Sequence, residues 1–116
     1  MSAGDLAGAR EHFLEAVAAE PGFTEAWYNL GATTTRLSIA AAGAGKNQEA
    51  LAFFREGLDQ KRRASALIDE GRWFLYTPEQ REQVISDLQH ALEDADAVLA
   101  DQASLLAALR LWAARR

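Results

Sequence analysis

The feature that most constrains this chain is a pair of apolar stripes at helical spacing, one on each side of a single Glu20-Pro21-Gly22 break. Upstream, Leu6, Ala9, Phe13, Ala16 and Val17 recur at three- and four-residue steps and mark one face of a helix from about Asp5 to Ala19. Pro21 disfavours helix for the residue before it, and Gly22 permits a tight turn. Downstream, Trp27, Leu30, Thr34, Leu37 and Ala41 resume the same spacing, with Thr24 predicted as the N-cap and Glu25 placed well against the helix dipole. Two helices joined by so short a turn must pack antiparallel. No stretch of four or more residues alternates β-branched or aromatic with polar residues, so no strand is expected.

The helical pattern runs on through the chain. Ala42-Gly43-Ala44-Gly45 breaks the second helix, and Asn47 is the predicted cap of a third, whose buried stripe reads Ala50, Leu51, Phe54 and Leu58. No strong stop follows. Residues 61–76 are also helix-compatible through Ala64, Leu67, Ile68 and Phe74 or Leu75, either as a separate helix or as an extension of the third. Thr77-Pro78-Glu79-Gln80 then combines an N-cap hydroxyl, proline at the first helical position and glutamine to complete a capping box. Behind it Val84, Ile85, Leu88, Ala91, Leu92, Ala95, Val98 and Leu99 predict one long helix, and Asp101 caps a last short one carrying Leu105, Leu106, Leu109 and Trp112. The expectation is a single all-α domain over residues 1–116, with six helices in antiparallel order.

Within this pattern lies a repeat. Ala9-x3-Phe13-x2-Ala16-x4-Pro21 is followed by Ala26-Trp27-Tyr28-Asn29-Leu30-Gly31, then by Gly45-x4-Ala50-x3-Phe54-x2-Gly57-Leu58. In order and spacing this resembles the tetratricopeptide repeat (TPR), Trp-x2-Leu-Gly-x2-Tyr, Ala-x3-Phe and Pro in ~34 residues. The resemblance implies helix hairpins stacked as a short right-handed superhelix. Small residues (Ala9, Gly31, Ala50) let paired helices approach, and Trp27, Leu30, Phe13 and Phe54 fill the space between them. It covers residues 4–58 well. Residues 59–116 follow by helical pattern alone, as a degenerate repeat hinted at by Gly71 and a long capping helix over the open end of the stack.

Three departures stand out. Thr34 occupies the place of the pattern's tyrosine. Trp27 and Ala50 lie 23 positions apart, about seven more than the family's repeat places between them. Seven residues are about two helical turns, or roughly 10 Å, to be absorbed by longer helices or by a projecting AAGAG loop. The match also begins mid-repeat, so an apolar N-terminal end is expected to lie open to a partner or a second copy of the chain.

No catalytic chemistry is expected of these residues. There is no cysteine, which removes disulfides, thiol catalysis and Cys-ligated metals. Gly43-Ala44-Gly45-Lys46 resembles the tail of a phosphate loop but lacks the glycine (Ala40 stands there), the Ser/Thr (Asn47) and the preceding strand; it reads as a helix-breaking turn. His12 and His90 fall on different helices without a ligand partner at helical spacing, so no metal or cofactor is expected. Glu93, Asp94 and Asp96 read as a solvated face. The net charge of −5 argues against a nucleic-acid binder, and Lys61-Arg62-Arg63 with Arg110, Arg115 and Arg116 reads as solvated helix surface. Leu37–Ala44 is far shorter than the ~18 residues of a membrane span, and no secretory leader is visible, so the expected location is cytoplasmic.

The family resemblance implies a groove lined by the first helix of each pair. By register its residues here are Glu25, Tyr28, Ala32, Thr35 and Arg36, with Ile68, Arg72 and Tyr76 in the degenerate repeat. Tyrosine and arginine are enriched at binding hot spots. Members that clamp a C-terminal carboxylate want lysine and asparagine where Tyr28 and Ala32 stand, so that job is not expected. Two functions stay open: a scaffold or adaptor that binds a protein or peptide on this concave face, and a structural module that forms a homodimer or larger assembly through its N-terminal end.

Overall fold

Two glycines in left-handed conformation set where the central helices stop. The computed structural model describes residues 3–73 and 75–115; Phe74 and Arg116 lie outside them. These residues form six helices and no strand: α1 (Ala3–Ala19), α2 (Thr24–Gly43), α3 (Asn47–Asp69), α4 (Pro78–Leu92), α5 (Ala95–Ala100) and α6 (Gln102–Ala114). Gly45 (φ +77°) closes α2, with Lys46 N–H donating to the Ala41 carbonyl at 2.9 Å and Gly45 N–H to Ala42 at 3.1 Å. Gly71 (φ +73°) closes α3 in the same way, through Arg72 N–H to Leu67 at 3.1 Å and Gly71 N–H to Ile68 at 2.9 Å. Both are Schellman closures, which need a residue free to adopt positive φ.

Several expectations are settled or corrected here. The longer Trp27–Ala50 spacing is taken up by the helices, 20 residues in α2 and 23 in α3, with only a tight turn between them. Residues 47–69 are one helix. Gly71 ends it instead of lying within it, so Arg72 and Tyr76 sit on an irregular connector. Thr24 and Asn47 are the first helical residues, after Phe23 and Lys46 at the N-cap positions. Their side chains tie distant parts of the chain instead: the Thr24 hydroxyl donates to the Arg72 carbonyl, and the Asn47 carbonyl oxygen accepts from Arg110.

The capping box of α4 is present, with Gln80 N–H donating to the Thr77 hydroxyl at 3.3 Å and Thr77 N–H to the Gln80 side chain at 2.8 Å. The long helix expected behind it is broken. α4 ends at Leu92, and Asp94 takes a left-handed conformation (φ 56°) before α5, a conformation that short acidic side chains tolerate better than most. The break has a packing cause. Val84 and Leu88 belong to a cluster with Ala64, Tyr28 and Tyr76, whereas Leu99 packs with Ile39, Leu51 and Leu109 at the opposite end of the α2–α3 hairpin. The direction change at Asp94 lets one apolar stripe serve both ends.

The α2–α3 hairpin is the spine. Gly31 and Gly57 let these helices meet closely: a Cβ on Gly57 would stand 2.7 Å from Thr35 Oγ1 and 3.2 Å from the Gly31 carbonyl oxygen. α1 covers α2 through Val17, Ala26 and Leu30 with Phe13 and Phe23 around them, and Arg10 ties it to α3 by donating to Glu56, at 2.9 Å from Nε, while lying over the Phe53 ring. Leu6 and Val17 are buried, and Phe13 and Leu14 half-buried. The N-terminal helix therefore presents no large exposed apolar side chain among the described residues, against the expectation of an open apolar end. α6 returns to cover the hairpin's far end, packing Leu105 and Leu109 on Ile39, Ala42, Ala50 and Leu51.

Candidate functional site

The face of α2 that carries Glu25, Tyr28 and Thr35 divides into a filled half and an open half. Glu25 is buried (2 % exposed), and its carboxylate accepts the backbone N–H groups of Leu75 and, at 3.0 Å, Tyr76. One turn on, the Tyr28 hydroxyl donates to Asp87 of α4 at 2.8 Å, and Asn29 Nδ2 donates to the Tyr76 hydroxyl at 3.1 Å. Burial, with the Asp87 hydrogen bond behind it, pushes the Tyr28 phenol up to about 12. Buried polar groups are held this way because an unpaired one is costly. The predicted residues Glu25, Tyr28 and Tyr76 are thus brought together, Glu25 holding the chain's own connector at Leu75 and Tyr76 and Tyr28 holding α4. Arg72 is exposed and pairs with Glu70 at 2.8 Å, its guanidinium lying over Gly22. Arg36 is exposed, and Ile68 lines a separate crevice of about 240 Å³ between α3 and α4.

Thr35 opens on something different. An open cavity of about 580 Å³ lies over the middle of the spine, between the end of α4 on one side and α6 on the other. Phe54 and Leu58 of α3, Ala95 and Val98 of α5, and Leu105 and Trp112 of α6 give it carbon walls. A volume of 300–1,000 Å³ with mostly apolar walls and few polar groups is what ligand and peptide sites have. Of the exposed large apolar side chains, Val98 (38 % exposed) and Trp112 (42 %) line this cavity, while Leu75 and Leu111 do not. Two such side chains at one opening are an informative feature of a protein surface.

The polar groups of the cavity are unequal. His90, at the mouth, is held by its Nδ1 against the Ser86 carbonyl oxygen at 2.8 Å. The Asp101 carboxylate caps α6 through Ser104, whose hydrogen bonds hold it below the usual carboxylate value. Glu93 is exposed, and Asp94 and Asp96 are also solvated, Asp96 meeting Arg62 at 3.3 Å. Lys61 departs from its expected place on a solvated basic run. It is half-buried on the cavity wall, its Cγ pressed toward Gly31, and burial pushes its ammonium below the usual lysine value while Asp87 acts the other way. Lys61, Phe54, Val98 and Trp112 carried no signal of a site in sequence, because the cavity arises from how α4 and α6 diverge.

Among the described residues, no three His, Asp or Glu side chains gather as a metal set, and no helix is long and apolar enough to cross a membrane. No protein-family model, curated protein or solved structure matches the chain.

Proposed function

We propose that this chain is a non-catalytic interaction scaffold of tetratricopeptide-like kind that receives a helix or peptide of a partner protein. The binding surface lies on the half of α2 open at Thr35 rather than on the half filled by residues 75–76. The observation that carries it is the open apolar cavity of about 580 Å³ with Val98 and Trp112 exposed on its rim. A tryptophan at the edge of an apolar depression offers large contact area, as binding hot spots do. The superhelical stacking itself rests on the repeat residues Ala9, Phe13, Trp27, Leu30, Gly31, Ala50 and Phe54, which sit in the paired helices of α1, α2 and α3.

The test is capture of a specific partner on the immobilised chain, compared with Trp112→Ala and Val98→Asp variants whose circular dichroism is unchanged. A partner retained by the wild type and by Arg36→Ala, and lost from both rim variants, supports the reading. Light scattering over a concentration series checks the rival. A dimer that dissociates on Trp112→Ala would make the rim a self-association surface and overturn the partner assignment.

A further inference from the structure

We propose that the cavity over the α2–α3 spine is a receptor site for an aliphatic carboxylate, a small ligand with an unbranched apolar chain and one anionic head, and that Lys61 takes the head. The inference concerns a small molecule and needs only the cavity and its one cation, so it does not depend on a partner protein docking at the rim.

Lys61 is the only lysine or arginine in the cavity wall, and no carboxylate of the described residues lies within ion-pair distance of it. The acid nearest in effect, Asp87 of α4, is already engaged on both oxygens: Oδ2 accepts from Tyr28 at 2.8 Å and Oδ1 from Gln83 at 2.9 Å. Asp87 acts on Lys61 only from beyond ion-pair distance; a half-buried ammonium with no anion in contact is costly, and a ligand carboxylate beside it lowers that cost. Burial lowers the Lys61 pKa, and a carboxylate bound in contact would act in the opposite direction.

The rest of the wall decides the ligand's body. Beyond Lys61 the surface toward α6 is carbon, from Leu58 past Ala108 to Trp112, and an apolar chain gains by covering it. One cation suits a monoanion; a phosphate would want more donors, and the N-terminus of α6 is occupied by Asp101. Glu93 and Asp101, also on the lining, are exposed to water, so their carboxylates stay solvated while Lys61 is half-buried. His90 stands there too, its Nδ1 engaged by Ser86.

The experiment is calorimetric titration of the full chain with decanoate and with decanol, each below its aggregation limit. Decanoate is expected to bind at least tenfold more tightly than decanol. Lys61→Met should erase that difference, Lys61→Arg should keep most of it, and Ala108→Phe should weaken both ligands by filling the cavity. Thermal melts establish that each variant is folded. Equal binding of the two ligands to the wild type, or a decanoate preference that survives Lys61→Met, overturns the assignment of Lys61. Binding of neither overturns the site.

Discussion

Replacing Gly57 by alanine tests the closest contact in the spine. In a helix interior, Gly→Ala by itself stabilises by about 0.5–1 kcal/mol, because glycine loses more backbone freedom on folding. At Gly57 the added methyl would stand 2.7 Å from Thr35 Oγ1, 3.2 Å from the Gly31 carbonyl oxygen and 3.3 Å from the Thr35 backbone nitrogen. The first neighbour is a side chain that rotates only by giving up its 2.9 Å hydrogen bond to Gly31 O; the other two are backbone, so α2 and α3 must separate. Overpacking of this kind costs about 1–3 kcal/mol. The methyl's cost exceeds its gain, and a net loss of roughly 1–2 kcal/mol is expected, about 4 °C of melting temperature per kcal/mol in a chain of this size.

Gly8 supplies the control, since a Cβ there meets nothing within 4 Å on the exposed side of α1. Gly8→Ala should raise stability by about 0.5–1 kcal/mol, so urea denaturation monitored by circular dichroism should show the two substitutions moving in opposite directions. Adding Thr35→Ala to Gly57→Ala should recover part of the loss, with a coupling of about 1 kcal/mol in the double-mutant cycle. If Gly57→Ala stabilises as much as Gly8→Ala, the helices do not meet at Gly31 and Gly57, and the pairing described for the spine is wrong.

Glu25→Ala removes the acceptor of two backbone N–H groups; charge-assisted bonds contribute about 1.5–3 kcal/mol each, and the exposed Leu75 can turn to water, so a loss of about 2–3 kcal/mol is expected. Residues 72–77 should then be cut faster in limited proteolysis, and an unchanged cleavage rate would count against their anchoring by Glu25. Tyr28, raised to about 12 in the folded chain against about 10 when unfolded, makes stability pH-dependent in a set direction. The unfolded state loses its proton first, so the contribution is whole below pH ~10 and falls away as pH climbs to ~12. Tyr28→Phe should flatten the fall in urea midpoint between pH 9 and 11; an equally steep fall in the variant would remove Tyr28 as its source.

What was legible in the sequence was local. The Pro21 break, the capping box at Thr77, the cap of α6 at Asp101 and the stripes of α1 and α2 each depend on a few neighbouring residues, and each is present in the structure. The stop at Gly71 is just as local but is masked in sequence, because Leu67, Ile68 and Leu75 continue an apolar pattern through it. Direction was harder. Nothing in the run from Val84 to Leu99 announces that its two halves face different neighbours, since a left-handed Asp94 leaves little trace in a sequence. The site is least legible: Glu25 and Tyr28 share one face of α2 by their spacing, but what fills that face is a connector about 50 positions away and α4 beyond it.

The length of the hairpin and the position of the cavity have one cause. The turns beside the α2–α3 connection carry Ile39, Ala41 and Ala42 opposite Ala50 and Leu51, an apolar patch that lies beyond the reach of α4. Left bare, it would face water along the spine, so a later segment must come back to cover it, and α6 does. α4 is committed elsewhere, with Val84 and Leu88 held against Ala64 at the other end. Two covers anchored at opposite ends of one spine leave its middle uncovered, and α5 spans that gap with only six residues. Ala95 is its sole buried residue, Leu99 is half-buried, and Val98 stays exposed. The opening over Thr35, Leu58 and Lys61 is therefore a consequence of spine length rather than a packing fault. Shortening the hairpin by removing the turns that carry Ile39, Ala42 and Ala50 should cost α6 its seat and the cavity its far wall together.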